Sequence, residues 1–304
     1  MPSIASSDGV SVAYLRLAGS GAKLLMVHAT GFCATIWRPV AEALSDVVDC
    51  WALDVRGNGA TAPPADGSMK WAGTADDVLA VAGAIDASGE VPAGPWLGVG
   101  HSMGGASLVL AEQQRPGTFG ALWVYEPVIF PPSFGEWAAD GGERPNPLAE
   151  AALRRRATFP SAEAAFENYA SKPPMNVFDH RALRGYLERG LVRDPSPDAP
   201  ASGVRLACEP AIEAQLYRMG PQHSAWSSFD AVACPVTVVT GDQSVPGPAG
   251  FAASIAAELP GGELEVHDDL GHFGPAEAPD RMAESIRSAF HLPSLSPPAS
   301  TIGP

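Results

Sequence analysis
Short apolar runs bounded by polar and turn-forming residues recur along the chain, and longer stretches with apolar residues three and four apart lie between many of them. Residues 10–17, 24–28, 47–54, 96–101, 121–126, 236–240 and 264–267 read as strands. Leu24-Leu25-Met26-Val27 has no polar alternation, as expected of a strand covered on both faces, the setting of parallel sheets. Residues 74–87 read as a helix in which Thr74 can cap the first turn and Val78, Val81, Ala82 and Ile85 share a face. Residues 249–259 and 276–290 are the last two predicted helices. Strands and helices in alternation predict an α/β fold, a mostly parallel central sheet with helices on both faces.

From Pro131 to about residue 233 the alternation stops, and helix-like pieces appear at 148–158, 162–170, 180–189 and 210–219. The pattern divides the chain into a core at 1–130, a helical insertion at 131–233, a second core part at 234–291 and a tail at 292–304. The tail is rich in Pro and Ser and is expected to be flexible. At 304 residues, with 46% hydrophobic and 17% charged residues, the chain is long enough for one large core carrying an insertion. A net charge of −15 argues against nucleic acid or an anionic membrane surface as partner and leaves a small-molecule substrate, with a monomer or homodimer expected. The chain has neither an apolar stretch of membrane-spanning length nor a basic, apolar leader, so the expectation is cytoplasmic. Cys33, Cys50, Cys208 and Cys234 are scattered without metal-ligand spacing and read as small buried apolar residues, so neither metal nor cofactor is expected.

The segment that carries chemistry is Gly100-His101-Ser102-Met103-Gly104, set between the strand-like run at 96–101 and a helix-compatible stretch that follows. A G-x-S-x-G in that setting reads as a nucleophile elbow, a tight strand-to-helix turn that holds the serine in a strained conformation. Its glycines leave room where side chains would collide, and the helix N-terminus aims N–H groups at developing negative charge. His101 reads as a filler within the elbow.

A second segment runs from the strand at 24–27 into His28-Ala29-Thr30-Gly31-Phe32 and Trp37-Arg38-Pro39, and a third is Leu53-Asp54-Val55-Arg56-Gly57-Asn58-Gly59. Together with the elbow these resemble the α/β-hydrolase superfamily, in the style of its haloperoxidase-like, esterase and C–C hydrolase branches, over most of residues 10–290. The resemblance implies that the insertion follows the sixth strand as a lid, and that the N–H groups of Thr30 and Met103 form an oxyanion hole. Ala29 stands where glycine is usual, so its backbone must avoid positive φ. His28, Asp54 and Arg56 are expected to stabilise their loops.

The resemblance places the catalytic base at His272, in Gly271-His272-Phe273, so that chain order runs serine, acid, histidine. The family's usual acid follows the seventh strand, but there Gly241-Asp242-Gln243-Ser244 puts Ser244 in the expected aspartate position. Some branches carry the acid at the end of the sixth strand, where this chain has Glu126. Glu126 is therefore the preferred acid, with Asp242 as the alternative and the Asp268-Asp269 pair behind it. Large insertion residues, among them Phe166, Tyr169, Tyr186 and Tyr217, could line an apolar pocket, for which Phe32, Trp137, Phe178 and Trp226 are the selected candidates. Arg154-Arg155-Arg156 reads as a solvated helix face ahead of an anion site. What the resemblance implies is a serine hydrolase that cleaves a carboxylic ester, or a related acyl bond, of a small, moderately apolar molecule. Lactone, thioester and C–C bond hydrolysis remain as alternatives with the same triad, as does a ligand-sensing protein that retains the pocket.

Overall fold
Leu24 and Met26 face one layer of apolar side chains and Leu25 and Val27 the other, the period-two consequence of a strand buried on both sides. That strand belongs to an eight-stranded sheet in the computed structural model, which describes residues 1–132, 146–244 and 247–293. The strands of the chain are β1 (Ser3–Ala5), β2 (Ser11–Gly19), β3 (Ala22–Val27), β4 (Val48–Leu53), β5 (Trp96–His101), β6 (Phe119–Tyr125), β7 (Thr158–Phe159), β8 (Leu191–Arg193), β9 (Val204–Leu206), β10 (Val236–Thr240) and β11 (Gly262–Val266). The large sheet has the order β1-β2-β4-β3-β5-β6-β10-β11, antiparallel at β1/β2 and β2/β4 and parallel elsewhere. This is the mostly parallel central sheet that the sequence predicts.

One face of the sheet is covered by α2 (Trp71–Ser88) and α3 (Met103–Gln114), the other by α1 (Arg38–Leu44), which lies earlier in the chain. The first ten residues of α3 are all buried, so this helix is packed on every side at its N-terminal end. Between β6 and β10 come α4 (Pro147–Leu153), α5 (Ala162–Ala170), α6 (His180–Gly190) and α7 (Pro210–Arg218), with β7, β9 and β8 forming a small antiparallel sheet among them. Helix α6 docks on the loop after β3. A Cβ at Gly185 would collide with the Thr35 carbonyl, Arg189 pairs with buried Asp54 at 3.3 Å, and Glu188 accepts from Arg38 at 2.9 Å.

Several predicted elements shift, each for a local reason. Strand β1 is three residues of which only Ile4 is half-buried, too short for an apolar pattern to reveal. Helix α2 begins at Trp71, so Thr74 is not its cap; the Thr74 Oγ1 donates to the Trp71 carbonyl and accepts from Ser107 Oγ of α3, each at 2.9 Å. The predicted helix at 249–259 resolves into a 3-10 turn at Pro248–Phe251 followed by α8 (Ala252–Glu258). The one predicted at 276–290 divides into α9 (Gly274–Glu277) and α10 (Pro279–Ala289), because Ala278 precedes a proline and leaves the helical region. The piece predicted at 148–158 ends at Leu153, and Thr158 already belongs to β7. At the start of the predicted tail, Leu292 and Pro293 are tied back to Arg287 by hydrogen bonds of 2.9 and 2.8 Å; residues 294–304 lie outside the described residues. Among the described residues, no helix is long and apolar enough to cross a membrane.

Candidate active site
The C-terminal ends of β3, β5, β6 and β10 open on one edge of the sheet, where open α/β sheets gather ligand-binding groups. Ser102 stands there between β5 and α3 with φ 55° and ψ −115°, a left-handed conformation that costs a serine on the order of 1–3 kcal/mol. Neighbouring backbone holds it: its N–H donates to the Tyr125 carbonyl at 2.9 Å, and its carbonyl accepts from Ala106 at 3.1 Å and Val128 at 3.2 Å. The glycines of the motif are required by close approach. A Cβ at Gly100 would lie 2.7 Å from the Gly105 Cα, and one at Gly104 would strike the Val27 carbonyl.

The loop after β3 turns at Ala29–Phe32, with Phe32 N–H donating to the Ala29 carbonyl at 3.2 Å and Gly31 taking φ 79°. Ala29 is not among the residues with positive φ; the left-handed position falls on Gly31. The fully buried His28 ring anchors the loop. Its Nδ1 donates to the Ala29 carbonyl at 2.8 Å and its Nε2 accepts the Val55 N–H at 3.0 Å. Burial pushes its pKa down against the opposing pull of Asp54, and the ring stays neutral. Asp54 accepts from the Ala34 and Ala60 N–H groups, and Arg56 is buried against Asp77 and Asp8. Among the described residues, neither the Thr30 nor the Met103 N–H has a hydrogen-bond acceptor.

Glu126 follows β6 at φ 42° with its carboxylate 2% exposed. Its Oε2 lies 2.6 Å from the Nδ1 of His272, on the loop between β11 and α9, while Oε1 accepts the Gly241 N–H at 2.9 Å and the Thr240 hydroxyl at 3.3 Å. Both carboxylate oxygens are thus satisfied, as burial of the charge requires. The Ser102 hydroxyl and the His272 Nε2 have no hydrogen-bond partner among the described residues. The other acid candidates lie elsewhere. The Asp242 carboxylate accepts the Ser244 N–H at 2.8 Å in an exposed turn, Asp269 pairs with Arg281 at 2.6 Å, and Asp268 is exposed.

Of the pocket candidates, Phe32 and Phe178 come together with ring centroids 5.9 Å apart. Phe273, which the sequence reading passed over, joins both, at 5.9 and 5.3 Å, and sits against the His272 ring at 5.2 Å. Its place directly after His272 was the available signal. Trp226 is a correction: it packs on Phe229 beside the far end of α3, where Gln113 donates to the Ala225 and Ser228 carbonyls, two helical turns and more from Ser102. Apolar burial against the core holds it there, not the insertion's inner face. Trp137 lies outside the described residues.

The arginine run is also corrected in part. Arg154 is exposed, but Arg155 turns inward, pairing with Glu213 at 2.9 Å and donating to the Tyr169 and Tyr186 hydroxyls at 3.2 and 2.7 Å. This polar cluster sits over Gly31, where an added Cβ would lie 2.7 Å from a Glu213 carboxylate oxygen. The four cysteines are buried thiols, and burial pushes those of Cys33, Cys50 and Cys234 up to about 12. Among the described residues, no three His, Cys, Asp or Glu side chains converge as a metal-binding set.

A family model described as the alpha/beta hydrolase family matches residues 24–285. The chain is 32% identical over 141 residues to N-formylmaleamate deformylase of Pseudomonas putida, a match that spans 44% of this chain and half the length of that relative. It is 24% identical over 223 residues to an abhydrolase domain-containing protein, AKT2, of Alternaria alternata, covering 63% of this chain and 81% of the relative. Among solved structures, E-2-(acetamidomethylene)succinate hydrolase superposes with a TM-score of 0.73 at 20% identity, over 95% of this chain and 99% of that one.

Proposed function
The chain belongs to the alpha/beta hydrolase family, and we propose that it is a serine hydrolase that cleaves a carboxylic ester, or a related acyl bond, of a small, moderately apolar molecule through an acyl-serine intermediate. The observation that carries this reading is the 2.6 Å contact between the buried Glu126 carboxylate and His272 Nδ1, at the same sheet edge as a serine held at φ 55°. A carboxylate at Nδ1 keeps the proton on that nitrogen and leaves Nε2 unprotonated, ready to act as a base.

The proposed sequence of events follows from those positions. Ser102 Oγ attacks the acyl carbonyl as His272 Nε2 takes its proton, and Glu126 stabilises the imidazolium. The unpartnered N–H groups of Thr30 and Met103 are the donors for the oxyanion, Met103 doing so from the first turn of α3. The tetrahedral intermediate collapses as the imidazolium protonates the leaving group; water, activated by the same nitrogen, then releases the acid. The insertion at 131–233 is read as a lid, with Phe32, Phe178 and Phe273 supplying an apolar wall beside the base.

Similarity to a deformylase that acts on N-formylmaleamate favours a second reading, in which the scissile bond is that of an N-acyl compound. The same steps serve, with nitrogen as the protonated leaving atom. A panel of p-nitrophenyl esters of increasing chain length, run beside N-formyl amides, separates the two. For either reading, Ser102→Ala is expected to abolish covalent labelling by a fluorophosphonate and to lower kcat by roughly 10⁴-fold or more. Labelling that persists in this variant would move the nucleophile elsewhere and sink the assignment.

A further inference from the structure
We propose that His101, the residue before the serine, is a positioning residue that fixes the base loop to the nucleophile elbow through its hydrogen bond to the His272 carbonyl. The inference rests on the triad reading above. His101 Nε2 lies 2.7 Å from the His272 carbonyl oxygen, and the two imidazole rings are 5.0 Å apart. A carbonyl can only accept, so Nε2 carries the proton and His101 is the donor. The ring is 4% exposed, and burial together with the neighbouring His272 holds its pKa well below the ordinary range, so it stays a neutral donor. With its Nε2 proton committed to a main-chain carbonyl, His101 is placed to orient and not to shuttle protons.

The neighbouring strand repeats the arrangement. Tyr125, opposite His101 in the β5/β6 register with rings 5.7 Å apart, donates its hydroxyl to the Gly271 carbonyl at 2.7 Å. That hydroxyl sits in a closed slot: a Cβ at Gly241 would lie 2.8 Å from it, and one at Gly274 would collide with it. From the far side, Glu277 accepts the Gly271 N–H at 3.2 Å. His101 directly precedes Ser102, and Tyr125 directly precedes Glu126. The two strand ends that present the nucleophile and the acid therefore also grip the main chain of the base, through consecutive carbonyls. The relative placement of the three groups is set by adjacent rungs of a sheet instead of by a free loop. Placement errors near 1 Å cost about 10²-fold in rate, which is the scale on which this clamp acts.

The test uses the full chain and begins with the wild type, which must turn over an ester or N-formyl substrate and be labelled at Ser102; failure there overturns the triad reading, and this inference with it, before any His101 variant is made. His101→Phe keeps a ring but removes the donor, and His101→Gln restores an N–H near the Nε2 position. The expected result for His101→Phe is a fall of about 10- to 100-fold in both kcat and the fluorophosphonate labelling rate, with KM within about threefold of wild type. His101→Gln is expected to recover most of that loss. Tyr125→Phe is expected to show a smaller loss of the same kind, and its combination with His101→Phe should cost less than the product of the two, because both act on one loop. His101→Asn, whose amide is too short to span to the carbonyl, serves as the donor-removing variant if His101→Phe fails to fold. A folded donor-removing variant with kcat and labelling within about twofold of an active wild type overturns the proposal. So does a loss that His101→Gln leaves unrepaired, since that would assign the effect to ring volume.

Discussion
Replacing Glu126 by Gln changes one atom and removes one charge at a buried position of the candidate site. The carboxylate is 2% exposed and uses both oxygens, Oε2 toward His272 Nδ1 at 2.6 Å and Oε1 from the Gly241 N–H at 2.9 Å. An amide cannot serve both partners. With its oxygen toward His272, the NH₂ meets the Gly241 N–H donor; turned over, it donates to Nδ1 and forces the proton onto Nε2, the tautomer that cannot accept from Ser102. The lost attraction can be sized separately. Two unit charges about 4 Å apart at an effective dielectric of about 20 interact by about 4 kcal/mol, and this stabilisation applies only once the imidazolium has formed. At 1.36 kcal/mol per decade that is about a 10³-fold fall in kcat, before any contribution from the wrong tautomer. The melting temperature is expected to fall by only a few degrees, because the side-chain volume is kept and a single buried hydrogen bond is lost, at a cost of about 1–3 kcal/mol. Asp242→Asn, in its exposed turn, is expected to cost less than about tenfold. The assay is kcat on the best substrate of the ester and N-formyl panel, with the fluorophosphonate labelling rate as a readout independent of substrate binding. A Glu126→Gln enzyme within tenfold of wild type, or the reverse ranking of the two variants, would refute the assignment of the acid.

Two further outcomes follow from the packing and the buried histidines. Phe178→Ala empties space beside Phe32 and Phe273, so kcat/KM is expected to shift toward longer acyl chains relative to short ones; a uniform loss across the chain-length series would leave Phe178 a packing residue only. His28, His101 and His223 all have pKa values lowered by burial, so the unfolded chain binds more protons than the folded one once pH falls below about 6.5. Their contribution to stability is intact above that pH and is lost as pH drops toward their folded values, with a slope approaching about 4 kcal/mol per pH unit if all three take up protons on unfolding. Urea midpoints measured from pH 7 to 5 should therefore fall, and an unchanged midpoint across that range would contradict neutral, buried rings.

The parallel sheet was legible because both of its faces are covered, which turns a strand such as Ala22–Val27 into an unbroken apolar run. The elbow was legible because two glycines are imposed by backbone contact, at Gly100 and Gly104, and such requirements leave their mark in consecutive residues. What stayed hidden depends on partners far along the chain. Arg155 shares the run of charge that marks a solvated helix face, and only the approach of Glu213, Tyr169 and Tyr186 turns it inward. Trp226 looked like a pocket residue because large apolar side chains do not declare which layer they will join; its partner Phe229 and the end of α3 decide that. Thr74 failed as a cap for a related reason, since Ser107 on another helix offers its hydroxyl a better use inside the helix than at its start.

The proposed placement of the acid at Glu126 requires no remodelling of the sheet. Strand β6 lies between β5, which ends at the serine, and β10, which ends at the turn where the resemblance expects the acid. Moving the carboxylate from the end of β10 to the end of β6 is a step to the adjacent strand, and the loop that carries His272 touches both ends, through the Asp242 N–H to the Leu270 carbonyl at 2.8 Å and through His272 Nδ1 to Glu126 at 2.6 Å. The vacated turn does not fall idle. Thr240 and Gly241, at its start, donate to Glu126 Oε1, so the segment that lacks the carboxylate instead orients the neighbouring one. The cost appears in the backbone, where Glu126 takes φ 42° so that its side chain can turn toward His272. A glutamate suits that position because its stem carries the rigid carboxylate out to where one oxygen meets His272 and the other the β10 turn. Asp at 126, one methylene shorter, would draw both oxygens back from their partners, which makes the longer acid part of the geometry that the proposed mechanism requires.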